Sequence, residues 1–194
     1  MNIFILSDSY AYSAWLHPKK LAPKMVLESG QLLCSVVYVL APELVPDCSP
    51  WLYKLSHKNH PCAIWARESK ANYVELLDRT YYLYKECLKR NGGTNHHKTV
   101  VQHNRLDRLY DMADIMDFPQ LGRTPYKLAF NAVSGIDKST YDGTDQCAIS
   151  MYRHYIKTKS YLTSEDNFSQ VESSPGFYGV LPTPAKKVFI TFSK

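Results

Sequence analysis

Apolar residues recur at helical spacing along most of the chain, and the breaks between the periodic stretches fall at prolines, glycines and short polar runs. In residues 23–38, Met25, Leu32 and Val36 share one stripe, widened by Leu27 and Cys34, while Lys24, Glu28, Gln31 and Ser35 share another. This predicts a helix that opens at Pro23 and ends near residue 40, before Pro42. Upstream, residues 2–6 read as a short buried strand or extended arm. Ser7-Asp8-Ser9 then caps a first helix through Ala11, Trp15 and Leu16, broken by His17-Pro18. Residues 41–60 read as a loop whose Trp51, Leu52 and Tyr53 are too apolar to be wholly exposed.

Residues 62–90 form the longest periodic stretch. Ile64, Trp65, Tyr73, Leu76, Leu77, Leu83 and Cys87 make its apolar face; Arg67, Lys70, Glu75, Asp78, Lys85 and Lys89 make a solvated one. Pro61 fits its first turn and Gly92-Gly93 end it. A helix over 99–112, loop over 113–127, a short helix over 126–133 and a longer one over 145–162 follow. Residues 163–184 read as loop or mobile tail, and 188–192 as a strand able to pair with 2–6. The expected fold is mainly α: a single compact helical domain, core at 1–162, with short terminal strand or extended segments. Residues 163–194 form a loop and C-terminal tail.

Composition narrows the class without naming a partner. The 194 residues, 45% hydrophobic, suffice for one packed core, and the net charge of +5 is compatible with a polyanion. The five cysteines are scattered and never spaced as CxxC, which points to a reducing compartment and to no disulfide framework. Neither a signal peptide nor a membrane-length apolar run is read, so the expectation is a protein of the host cytoplasm with no membrane partner.

No nucleotide-binding, metalloprotease or hydrolase motif is present, and no cofactor or metal is expected. His57, His60 and Cys62, with His96, His97 and His103 as completing ligands, have a spacing open to a metal. The same spacing arises in a helix-capping loop. Glu28 is the strongest candidate for chemistry. A carboxylate in an apolar wall can shuttle a proton or steady a developing positive charge, and Lys24, one turn away, can pair with it or meet a phosphate.

Lys24-Met25-x-Leu27-Glu28-x-x-Gln31, His57-Lys58-Asn59-His60-Pro61-Cys62-x-x-Trp65-Ala66-x-Glu68-Ser69-x-x-Asn72-Tyr73, the basic link at 96–98 and Tyr152-Arg153-x-Tyr155-x-x-x-Lys159 together resemble a family of small uncharacterised proteins of tailed bacteriophages. More remotely, Glu28 and Glu86-Cys87-Leu88-Lys89-Arg90-x-Gly92 resemble the phage pyrimidine-dimer DNA glycosylases of the endonuclease V type. In those compact helical proteins an N-terminal amine beside a helix-borne Glu attacks the sugar and ejects the base through a Schiff base. This chain departs from them at Leu27, where that family has Arg, and at Asn2, a poor context for removing Met1.

The resemblance implies a viral DNA-acting enzyme, a hydrolase or lyase that excises or modifies a base. Glu28, Lys24, His60 and the Met1 amine would form the catalytic group. Gln31, His57 and Asn59 would line the wall, Trp65 or Tyr73 stack on a base, Asn72 read a base edge, and Lys98, Arg153 and Lys157 meet phosphate. A non-catalytic nucleic-acid-binding or adaptor protein, and an enzyme acting on a free nucleotide or amine, are the alternatives.

Overall fold

Pro23 in the first turn and an apolar face that continues to Leu40 set the central helix, α2 (Ala22–Leu40). The structure, a computed structural model, describes residues 2–94, 96–130, 135–160 and 162–172, the side chains of 170–172 aside. Before α2 comes α1 (Tyr10–Leu16), with the Ser9 side chain accepting from the Tyr12 N–H at its start. After it come a single turn, α3 (Val45–Cys48), then α4 (Pro61–Glu68), α5 (Lys70–Arg90), α6 (Lys98–Val101), α7 (Arg105–Ile115), α8 (Asp145–Lys157) and α9 (Asn167–Glu172). The fold is mainly α-helical, with no β-sheet among the described residues.

The long helices α2 and α5 pack on each other, with α1, α4 and α7 around α5. Their shared core includes Leu32, Leu33, Trp65, Tyr73, Leu76 and Leu77, all at or near zero exposure. Gly30 lets α6 close on α2: a Cβ there would stand 2.2 Å from Thr99 Cγ2.

Several expectations are corrected. The periodic stretch over 62–90 is two helices, because Ser69 is extended (φ −151°, ψ 157°) and caps α5 through the Asn72 N–H. The Gln120 and Leu121 carbonyls take the next free α5 donors, Lys70 and Ala71, so a distant segment holds the break open. The helix over 99–112 is likewise divided, where His103 and Asn104 take positive φ of 58° and 51°. Residues 126–130 are irregular instead of helical, and 131–133 lie outside the described residues.

Residues 2–6 form a buried extended arm with no strand partner among the described residues; 188–192 lie outside them. Side chains, not a sheet, fix this arm. The Leu6 N–H donates to Ser13 Oγ at 3.1 Å, and Arg153 Nε donates to the Leu6 carbonyl at 2.9 Å. The segment from 163 also departs from a loose tail, because Asp166 accepts from the Lys19 N–H at 2.8 Å and Phe168 is buried against the core.

Candidate functional site

Glu28 is carried to the edge of α2, where its carboxylate meets the amino-terminal arm. Its side chain is 12% exposed against 66% for Lys24, whose Nζ lies 3.7 Å from Glu28 Oε1. The other oxygen, Oε2, accepts the Asn2 backbone N–H at 3.0 Å. Glu28 thus bridges a solvated ammonium and the amino end of the chain.

Asn2 is fixed from several sides. Its Oδ1 accepts from the Tyr152 hydroxyl at 3.0 Å and from the Ile3 N–H at 2.8 Å, and its Nδ2 donates to the Ala129 carbonyl at 3.4 Å. The Cys62 thiol lies 3.9 Å from the same Oδ1 and 4.0 Å from the Lys127 carbonyl, which brings the first turn of α4 and the 127–129 segment to the arm. Burial pushes the Cys62 thiol up to about 12, against a hydrogen bond at Ile3, so it stays protonated at neutral pH and is a poor nucleophile.

His60 caps α4, its Nδ1 accepting the Cys62 N–H at 3.2 Å, which leaves the proton of the neutral ring on Nε2. His97 caps α6 in the same manner, through the Thr99 N–H. His57 (φ 54°) makes the turn before α4, its ring centre 6.4 Å from that of His60, and His57 and Asn59 are exposed. The helix-capping reading of this histidine-rich turn therefore describes His60, and no group of three metal-ligating side chains converges among the described residues.

The structure brings Lys24, Glu28 and Gln31 to one edge, whereas Ser35 of the same stripe is buried and donates to the Gln31 and Ser56 carbonyls. Three expected base contacts are corrected, since their polar atoms are spent inside the core. Trp65 Nε1 donates to the Thr124 carbonyl at 3.2 Å, and the Tyr73 hydroxyl to the Leu109 carbonyl at 3.1 Å. The Asn72 amide donates to the Trp65 carbonyl and Thr124 Oγ1 while accepting from the Thr124 N–H. None of these three reaches solvent in a way that lets it stack on or read a base. Arg153 is half-buried on the Leu6 carbonyl, Lys98 and Lys157 are exposed, and Met1 lies outside the described residues.

The pattern alone does not mark Asn2, Lys127 or the Tyr152 hydroxyl as members of this site, because their proximity is set by tertiary contacts. Glu75 is a second omission. Expected on a solvated face, it is buried, with Arg79 Nε at 2.9 Å, Arg123 Nε at 2.5 Å and the Tyr126 hydroxyl all donating to it. Burial alone would raise its pKa, but Arg79, Tyr126 and Arg123 bring it below the ordinary carboxylate value. Arg79 also donates to the Ser7 carbonyl at 3.2 Å, so this cluster ties α5 to the end of the amino arm.

Between the arm and α1, α2 and α5 lies a cavity of about 20 Å³, lined partly by Asn2, Ser13, His17, Ser29 and Arg79, with room for one water. It is too small for a nucleobase. The accessible side of Glu28 is the outer one, beside Lys24 and Gln31. There a carboxylate held beside the amino end can take or return a proton, or stabilise a cation forming on a sugar. No single helix among the described residues is long and apolar enough to cross a membrane. Comparison with protein-family models, with curated proteins and with solved structures finds no match to this chain.

Proposed function

We propose that the protein acts on DNA at the level of the base, excising or modifying it, with Glu28 as the acid/base or charge-stabilising group. The observation that supports this reading is the 3.0 Å hydrogen bond from the Asn2 N–H to a Glu28 carboxylate that also faces the Lys24 ammonium. A carboxylate beside an amine is the pair needed to open a glycosidic bond: the neutral amine adds to the sugar carbon as the bond to the base breaks, its N–H proton passes by way of the carboxylate to the departing base, and the carboxylate balances positive charge developing on the ring oxygen. Lys24 and the terminal amine of Met1 are the candidate nucleophiles, with His60 and Gln31 as further members of the proposed site. A target base in duplex DNA has to leave the stack to reach this edge.

A second reading, a nucleic-acid-binding protein without chemistry, is favoured by one specific observation. Glu28 already anchors the arm, which is a sufficient structural reason for a carboxylate there. Borohydride treatment of the protein with abasic, damaged and modified-base DNA separates the two. The excision reading expects a covalent adduct whose formation slows in Glu28→Gln, and the binding reading expects none, with DNA affinity unchanged by the substitution.

A further inference from the structure

Residues 146–164, α8 after its first residue and the turn that follows, contain Arg153, His154, Lys157 and Lys159 and no Asp or Glu. On the neighbouring segment Arg123 and Lys127 are paired with Glu75, Asp145 and Glu68, which leaves Lys138, next to Asp137, as the ammonium beside the Phe130 ring. The structure joins the two segments through aromatic rings: Tyr155 of α8 stacks on Phe130 at 5.1 Å and on Phe4 of the arm at 5.8 Å. Lys159 Nζ lies 3.8 Å from the centre of the Tyr155 ring. Lys138 Nζ is bound to the Phe130 carbonyl at 2.8 Å and lies 5.7 Å from the centre of that residue's ring. None of the ion pairs among the described residues involves Lys138, Arg153 or Lys159. Acidic residues lie elsewhere on these elements, Asp145 at the start of α8 and Asp137 before Lys138, so the net positive charge beside the arm is concentrated in the carboxyl-terminal half of α8 and the turn after it, the part that presents to a polyanion.

We infer that the Lys138/Tyr155/Lys159 patch is a phosphate-binding surface for a DNA strand, beside the Asn2/Glu28 edge. This rests on the DNA-acting reading above and gives it a place for the backbone. The two ammonium groups are held against ring faces and a carbonyl instead of on freely rotating stems, so less side-chain entropy is lost when they meet phosphates. The arm connects patch and edge directly: Phe4, under Tyr155, is two residues from Asn2, whose N–H is bound to Glu28.

The test is DNA binding by the full chain carrying Glu28→Gln, which removes turnover from the measurement, titrated against salt with a short duplex and the matching single strand. Adding Lys138→Gln and Lys159→Gln is expected to reduce the slope of log K against log salt by roughly 0.9 per lost phosphate contact on duplex and roughly 0.7 on single strand. Lys138→Arg with Lys159→Arg should restore it. The paired control Lys85→Gln and Lys89→Gln, on exposed positions of α5, should leave the slope unchanged. An unchanged slope in the Lys138/Lys159 variant, or an equal loss in the control, overturns the patch while the DNA-acting reading stands. Absence of any DNA binding by the parent overturns both. The duplex and single-strand arms show which form of the backbone the patch takes, and equal thermal unfolding of all variants shows that the slopes report contacts instead of folding.

Discussion

The Asn2 N–H and the Glu28 carboxylate meet at 3.0 Å across 26 positions of sequence, so the candidate acid/base group also anchors the amino-terminal arm. The two roles separate by substitution. Gln at position 28 keeps an oxygen for the Asn2 N–H and loses the charge; Ala leaves that N–H, on a residue with 5% exposure, without its partner. Glu28→Gln should therefore cost about 1 kcal/mol or less of stability and Glu28→Ala about 1–3 kcal/mol, read by urea unfolding. Equal costs would remove the hydrogen bond from the account of the arm.

His17 gives the fold a pH dependence. Its Nδ1 lies 2.7 Å from the Ser13 carbonyl, which can only accept, so Nδ1 carries the proton. Burial lowers its pKa from 6.5 to about 4, opposed by the Ser13 contact and aided by Arg90 and Arg79. The unfolded residue takes up a proton below pH 6.5 and the folded one resists until about 4, so this contribution is complete above 6.5 and is lost as pH falls toward 4. The loss is about 3 kcal/mol. Unfolding free energies measured in pH steps should show it, and His17→Gln should flatten that part of the curve; an unaltered slope would contradict the assignment.

Glu75 pairs with two buried or half-buried guanidinium groups, and removing its charge leaves Arg79 without a carboxylate partner and Arg123 with Asp145 alone. Glu75→Gln should cost about 3–5 kcal/mol, seen as a large fall in the denaturation midpoint. A shift within the range of a surface substitution would show that the cluster is not a structural tie.

Gly30 and Thr99 meet where α6 packs on α2. Gly30→Ala should cost about 1–3 kcal/mol by overpacking, and Thr99→Ser should relieve much of it. Ser removes the clashing methyl but keeps a hydroxyl for the Tyr53 contact at 2.9 Å. A double-mutant cycle with no coupling would contradict the clash.

The ends of α1 and α2 are legible in the sequence because Ser9, Pro18, Pro23 and Pro42 act locally on the backbone. The break at Ser69 is not, because the apolar period runs through it and the carbonyls that stabilise it come from Gln120 and Leu121. Glu28 and Lys24 stand out through their one-turn spacing in an apolar helix. The Tyr152 hydroxyl meets Asn2 across 150 positions, a relationship no period encodes. Trp65, Asn72 and Tyr73 mislead for a further reason: an aromatic or amide side chain that satisfies a buried backbone is the same letter as one that reads a base.

The central claim, that Glu28 serves base-level chemistry on DNA, is tested most directly by following the fate of the base under single-turnover conditions. Duplexes carrying damaged or modified pyrimidines are incubated with wild type and Glu28→Gln, and the bases are resolved by mass spectrometry. The account predicts a released or chemically altered pyrimidine with wild type and a rate lower by roughly 10²–10⁴-fold with Glu28→Gln, the usual worth of a positioned acid/base group. Equal rates for the two proteins, or DNA that both bind and neither changes, would contradict it.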